Sequence, residues 1–165
     1  MAMHDKHHSR EVFVHEVLDI LSRFKDPSII VGALDGGTVL TNMQSAINDT
    51  RRRWETDNPI EWETVFITIG YHAYTACKNQ HISNPASAAF ANFLYDKSVR
   101  YGYAPLIRWG PLGILIRIDS KTGRLSTLDE EPYLGRKVDE SAMDTWVDIL
   151  GYAILGVMLT KGFIR

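Results

Sequence analysis

The segment Lys137–Thr160 predicts a long helix with two different parts. Its first part carries Glu140, Asp144 and Asp148 at positions i, i+4 and i+8. Residues with this spacing share one face of a helix and drift by only about 40° per step. Its last two turns, Gly151–Leu159, contain no charged residue, so we expect them to be buried. A chain that contains such a helix must enclose its uncharged end in a core and present three carboxylates on one side.

The acidic stripe of this helix has two interpretations. Carboxylates that lie close together repel one another, which disfavours their ionised forms unless a cation joins them. Oxygen ligands suit Mg²⁺ or Mn²⁺, so Glu140, Asp144 and Asp148 form a candidate metal site, and Tyr152 extends the same stripe. The alternative is a solvated acidic stripe near a helix start, where the helix dipole favours negative charge.

Size and composition describe one ordinary globular domain. A chain of 165 residues is long enough for one domain with a hydrophobic core. Its net charge of −2 argues against a nucleic-acid-binding protein, because such proteins are usually basic. The single Cys77 excludes an intramolecular disulfide and a cysteine-rich zinc site, and it fits a reducing compartment.

The sequence shows neither a signal peptide nor a membrane span. The longest uncharged apolar run, Ile149–Leu159, is too short to cross a bilayer. We therefore expect a cytoplasmic protein that does not interact with membranes.

Helical spacing of apolar residues recurs before the acidic helix. We predict a flexible N-terminus over residues 1–10 and a single helical domain over residues 11–165. The expected helices, with Pro59 in the first turn of the third and Ser83-Asn84-Pro85 at the start of the fourth, cover residues 11–25, 38–55, 60–78 and 83–101. Residues 28–37 resemble a short strand and a glycine-rich turn, and we interpret them as a connector.

The segment 103–135 allows two interpretations. Partial alternation of apolar residues within 113–128, and a turn at Lys121-Thr122-Gly123, favour a β-hairpin. Pro111 instead favours a short helix that runs to about Leu128 and is weakened by an internal glycine.

Basic residues precede the acidic helix. On a helix, Arg117, Lys121 and Arg124 lie on one side. Cations neutralise phosphate oxygens, and carboxylates bring a metal ion to the others, so this order of charges suits a polyphosphate. On spacing alone, mutual neutralisation of the two groups by salt bridges is an equally good interpretation.

Three blocks of sequence show a family resemblance. They are Asp96-Lys97-x2-Arg100-Tyr101-Gly102, Gly113-Ile114-x2-Arg117-Ile118-x2-Lys121-x2-Arg124-Leu125, and Asp139-Glu140-Ser141-x2-Asp144-Thr145-x2-Asp148-Ile149-x-Gly151-Tyr152-Ala153. The blocks span roughly residues 89–159, less than half of the chain. In this portion the chain resembles the phage and bacterial nucleotide modification associated domain, which is similar to the MazG-like, all-α nucleoside triphosphate pyrophosphohydrolases.

This resemblance implies a fold, a reaction and an assembly. The fold is an all-α, MazG-like bundle of about five helices, in which residues 11–80 form supporting helices and residues 83–161 form the family-like portion. The reaction is cleavage of a (deoxy)nucleoside triphosphate to the monophosphate and pyrophosphate. The cofactor is Mg²⁺ (or Mn²⁺), held by carboxylates from two facing helices. A homodimer is expected by analogy, and a phage-encoded protein would act in the host cytoplasm.

The resemblance also assigns roles to particular residues. Glu140, Asp144 and Asp148 would be the catalytic metal ligands, and Asp96 is the nearest candidate for a ligand from a second helix. Phosphate contacts would come from Arg117, Lys121, Arg124 and Lys97. The metal would polarise the attacked phosphorus and lower the pKa of the attacking water.

Two further functions stay open at this point. MazG-like enzymes carry a Glu-Glu-x-x-Glu motif, which this chain lacks. A protein that keeps only the pocket would bind or sequester a nucleotide without cleaving it. The third hypothesis is an accessory helical subunit, based on Trp54, Trp62 and the large apolar share of the sequence.

Overall fold

The computed structural model describes residues 8–26, 38–79, 87–130 and 138–165. Within these ranges the chain forms seven α-helices and no strand. The helices are α1 (Arg10–Phe24), α2 (Val39–Glu55), α3 (Trp62–Asn79), α4 (Ala88–Tyr101), α5 (Ala104–Ile107), α6 (Gly110–Glu130) and α7 (Val138–Thr160). The prediction of an all-α fold is confirmed.

Capping residues explain where several helices begin and end. Ser9, Thr38 and Ser87 are the N-caps of α1, α2 and α4, and each side-chain oxygen accepts a hydrogen bond from the backbone N–H three residues further on. An N-cap of this kind stabilises a helix by about 1 kcal/mol. Gly102 ends α4 with a φ of 67°, a conformation that costs a glycine less than any other residue.

Two helix starts differ from their predictions. Helix α3 begins at Trp62 and not at residue 60, because its first helical hydrogen bond runs from the N–H of Val65 to the carbonyl of Glu61. Pro59 therefore precedes the helix. Helix α4 begins at Ala88. The predicted start at residues 83–85 and the connector at residues 28–37 lie outside the described residues.

The helical interpretation of residues 111–128 is correct, and the hairpin is wrong. This part of the chain lies in α6, and the short α5 precedes it, which raises the helix count above the five expected. Gly123 costs α6 about 1 kcal/mol relative to alanine, but the burial of a helical stripe outweighs that cost. The buried stripe consists of Ile114, Leu115, Ile118, Thr122 and Leu125.

Helix α7 lies at the centre of the bundle. It packs against α3 and α6 and also contacts α1. Its second half is enclosed, as the absence of charge predicts. The buried residues of α7 are Thr145, Trp146, Ile149, Leu150, Gly151, Ala153, Ile154, Gly156, Val157 and Met158.

One helical window in the described part of the chain, Ala142–Thr160, is long and apolar enough to cross a bilayer. Of this window, 56% is buried inside the protein, where its apolar side chains pack on α3 and α6. A core helix meets the same criteria of length and composition, so this window is weak evidence for a membrane span.

Helix α4 packs chiefly on α1. Arg10 of α1 contributes to this contact, because its guanidinium forms a 2.6 Å ion pair with Asp96 and lies over the ring of Tyr95. Nearby, His8 stacks on Phe163, with 3.9 Å between ring centroids. Of the predicted flexible N-terminus, residues 1–7 lie outside the described part of the chain.

Two glycines allow helices to approach the rings of core phenylalanines. A Cβ atom at Gly70 of α3 would clash with the ring of Phe24. A Cβ atom at Gly156 of α7 would lie 2.5 Å from two ring atoms of Phe66, well inside the optimal carbon–carbon separation of about 3.5–4.0 Å. By contrast, a Cβ at Gly123 would meet nothing within 4 Å.

We therefore predict opposite effects for two glycine-to-alanine substitutions. Gly156→Ala lowers the free energy of unfolding by about 1–3 kcal/mol, because the added methyl group overpacks the contact between α3 and α7. Gly123→Ala raises it by up to about 1 kcal/mol, because alanine favours an exposed helix. Urea denaturation followed by circular dichroism measures both. A Gly156→Ala variant as stable as the wild type would show that the two helices are less closely packed than described.

Candidate functional site

A cavity of about 440 Å³ opens between α4, α5, α6 and α7. Its volume falls in the range of small-molecule sites, roughly 300–1,000 Å³. Four of its lining residues carry charge, and much of the remaining wall is aromatic or aliphatic. The charged residues are Lys97, Arg117, Lys121 and Asp148.

The side chain of Asp148 bridges two lysines from different helices. Lys97 of α4 donates to Oδ1 of Asp148 over 3.1 Å, and Lys121 of α6 donates to Oδ2 over 2.9 Å. Asp148 itself belongs to α7, so this cluster joins three helices at one point of the cavity wall. Arg117 lines the same cavity one turn before Lys121. Three basic groups and one carboxylate give the cavity an excess of two positive charges.

The lysines keep Asp148 ionised. Burial alone raises the pKa of this carboxyl group, since its side chain is only 26% exposed. The hydrogen bonds and positive charges of Lys121 and Lys97 outweigh burial, and the pKa of Asp148 lies below its ordinary value of 3.8. Because the pKa is lower in the folded chain, the ionised group stabilises the fold above pH 3.8, and this contribution is lost as the pH falls through the folded pKa.

Aromatic rings line much of the remaining cavity wall. Phe93 and Tyr101 of α4 are half exposed or more, whereas Tyr103 is buried. Tyr152 of α7 also lines the cavity. Lys97 lies over the ring of Phe93, with its Nζ atom 5.9 Å from the ring centroid. Accessible rings on a concave surface provide stacking partners for a planar ligand.

The structure brings together some of the predicted site residues. Lys97, Arg117, Lys121 and Asp148 line one cavity. Asp148 forms salt bridges with two of these residues, because both of its carboxylate oxygens accept hydrogen bonds from lysines.

Three other predicted residues, Asp96, Asp144 and Arg124, do not line the cavity. Asp96 is on the neighbouring face of α4 and pairs with Arg10. Asp144 and Arg124 are exposed and are not among the residues that line the cavity. Glu140 belongs to α7, but its side chain lies outside the described part. Among the described residues, no group of three or more His, Cys, Asp or Glu side chains is placed to hold a metal ion.

Sequence reasoning did not single out the aromatic residues of the cavity. The signal was the spacing of Phe93, Lys97 and Tyr101 at i, i+4 and i+8, which places two rings and an ammonium group on one face of α4. Asp148 and Tyr152 show the same spacing on α7. Phe93 also fits the apolar face of a packed helix, so the sequence alone does not distinguish it from a core residue.

Residues outside the cavity offer weaker candidates for chemistry. Burial raises the pKa of the Cys77 thiol to about 12, which leaves it unreactive. Burial also lowers the pKa of His72. Trp54 and Trp62, the basis of the accessory-subunit hypothesis, lie near each other, with 6.5 Å between ring centroids. The cavity is therefore the best-developed candidate site in the described part of the protein.

No protein-family model matches the chain, and neither the curated proteins nor the solved structures provide a match. The likeness to the nucleotide modification associated domain stays a prediction that rests on the three sequence blocks. The functional argument therefore rests on the geometry of the cavity.

The geometry predicts how Asp148 titrates. In the wild-type protein, its carboxyl pKa lies below 3.8. Lys121→Gln raises this pKa, because the burial remains while one cation and one charged hydrogen bond are lost. NMR of the side-chain carboxyl carbons during an acid titration measures the shift. An unchanged pKa in Lys121→Gln would contradict the bridge.

Proposed function

We propose that this protein binds a nucleotide in the cavity between α4, α5, α6 and α7. One observation supports the proposal most strongly: Lys97 and Lys121, from different helices, converge on one point of a wall that also carries exposed aromatic rings. A nucleotide contains both groups that such a wall can bind: a phosphate anion for the lysines and a planar base for the aromatic rings.

The basic end of the cavity suits phosphate oxygens. Charge-assisted hydrogen bonds from ammonium groups to oxyanions are stronger than neutral ones. Each lysine offers three donor hydrogens, and Arg117 adds a planar fork of donors on the same face of α6 as Lys121. The excess positive charge of the cavity favours an anionic ligand even while Asp148 is ionised.

The aromatic part of the cavity suits a base. Phe93 and Tyr101 flank Lys97 along one face of α4. The helix therefore fixes the distance between the rings that would stack on the base and the ammonium group that would bind the phosphate. Stacking of a base on an aromatic side chain contributes about 1–3 kcal/mol and depends little on which base is present. We therefore expect a preference for nucleotides over free phosphate, with modest discrimination among bases.

Metal-dependent hydrolysis of a (deoxy)nucleoside triphosphate to monophosphate and pyrophosphate is the second candidate. It is favoured by the position of Asp144 one helical turn before Asp148, a spacing that puts their Cβ atoms about 5–6 Å apart. Side chains whose Cβ atoms lie this close can direct carboxylate oxygens, the ligands that Mg²⁺ prefers, toward one ion, and Glu140 lies one turn earlier on α7. A metal held by these residues would supply charge to the phosphoryl group and a more acidic water.

Binding is tested by charge removal in the presence of EDTA. Isothermal titration with each common NTP and dNTP should show binding to the wild type. Lys97→Gln and Lys121→Gln should each weaken it by about 10- to 100-fold, because a hydrogen bond to a charged group contributes about 1.5–3 kcal/mol. Lys161→Gln is the matched control, since Lys161 pairs with Glu16 outside the cavity. Equal affinities for all four proteins would reject the cavity as the binding site.

Catalysis is tested separately by chromatography of nucleotides incubated with Mg²⁺ or with EDTA. Hydrolysis predicts monophosphate and pyrophosphate with Mg²⁺ alone. Asp144→Asn should then reduce turnover by at least about 100-fold, because it removes a proposed metal ligand, while binding in EDTA persists. Intact nucleotides under both conditions would exclude the reaction and leave binding as the function.

A further inference from the structure

The two ammonium groups that we propose as phosphate contacts already bind a carboxylate group of the protein. Both oxygens of Asp148 are used, one by Lys97 and one by Lys121. The carboxylate therefore lies where two cations from different helices meet, on the wall of the cavity. An incoming phosphate that binds the same two ammonium groups must compete with it.

We propose that Asp148 acts as an internal competitor that occupies the phosphate subsite until a ligand displaces it. In this role Asp148 is a specificity-determining residue, because it admits only ligands that bind the lysines better than a carboxylate does. The ligand class is a phosphate monoester or polyphosphate with a dianionic end group. This inference rests on the proposed nucleotide-binding function.

The contacts of the cluster explain why a phosphate dianion displaces Asp148 and a carboxylate does not. Asp148 has one negative charge, and its two oxygens contact the two lysines. A terminal phosphate has a second charge and a third free oxygen, so it also has an oxygen available for Arg117, which lines the same cavity. A monoanionic ligand merely reproduces what Asp148 already provides.

The exposure of the cluster makes this exchange feasible. Asp148 is 26% exposed, and the side chains of Lys97 and Lys121 are 44% and 31% exposed. Water therefore reaches all three groups, and the released carboxylate does not become a desolvated charge. A purely structural role is a weak alternative, because ion pairs that are accessible to solvent contribute little to the stability of a fold.

The experiment compares phosphate affinities of the wild type, Asp148→Asn and a matched control in EDTA. Asp49→Asn is the control, because it removes one acidic group that is paired with Arg52 on α2, outside the cavity. Inorganic phosphate and a nucleoside monophosphate are titrated by calorimetry. Asp148→Asn should bind both roughly 10- to 100-fold more tightly if Asp148 fills the subsite in about 90–99% of molecules, because apparent affinity scales with the competent fraction. Asp49→Asn should change affinity by less than about twofold.

Acetate provides an independent readout of the same subsite. In Asp148→Asn, acetate takes the place of the missing carboxylate, so it should weaken phosphate binding in proportion to its concentration. In the wild type the subsite is already filled, and acetate should have less effect at equal concentration. If Asp148→Asn does not fold, Asp148→Ser, with a smaller side chain, repeats both measurements.

The outcomes separate this inference from the proposed function. Nucleotide binding by the wild type with equal or weaker phosphate binding by Asp148→Asn would overturn the internal competitor and keep the binding function. Absence of phosphate and nucleotide binding in both proteins would overturn both. Phosphate binding that is tighter in Asp148→Asn and is weakened by acetate would support both the role of Asp148 as an internal competitor and the phosphate subsite.

Discussion

The burial of α7 between α3 and α6 is the constraint on which the rest of this structure depends. Its uncharged second half supplies much of the core, so its rotation about its own axis is set by packing. With that rotation set, Asp148 lies at the edge of the buried surface and faces the cavity. A polar group in such a position needs partners, and Lys97 and Lys121 supply them from two other helices.

The bridge at Asp148 shows how a small charged cluster organises a binding site without a large energetic contribution. Partly exposed ion pairs stabilise a fold by little, yet this one places two ammonium groups within hydrogen-bonding distance of one carboxylate. Because Asp148 already orders the two lysine side chains, the entropy cost of ordering them on ligand binding is smaller.

Much of the fold and part of the site follow from local patterns in the sequence. The predicted basic cluster is only partly brought together, because Arg117 and Lys121 line the cavity and Arg124 does not. The uncharged end of α7 correctly predicts burial. The sequence of residues 114–118 fits both a strand and a helix. The structure distinguishes the two, because buried residues recur at helical spacing as far as Leu125. Asp96 and Lys97 illustrate the limit. They are adjacent in sequence but about 100° apart around α4. Because α4 packs on α1, Asp96 contacts Arg10 and Lys97 contacts Asp148.

The cavity lies beside α4, which packs chiefly on α1 and meets α7 through side chains such as Lys97, the partner of Asp148. The side chains around the cavity make fewer packing contacts than they would in a filled core, so the cavity lowers the stability of the fold. Helix α4 packs on fewer helices than α3 or α7, so we expect it to open locally at a lower free energy than they do. A ligand that fills the cavity would add contacts among α4, α6 and α7. We therefore expect occupancy to restrict local opening of α4.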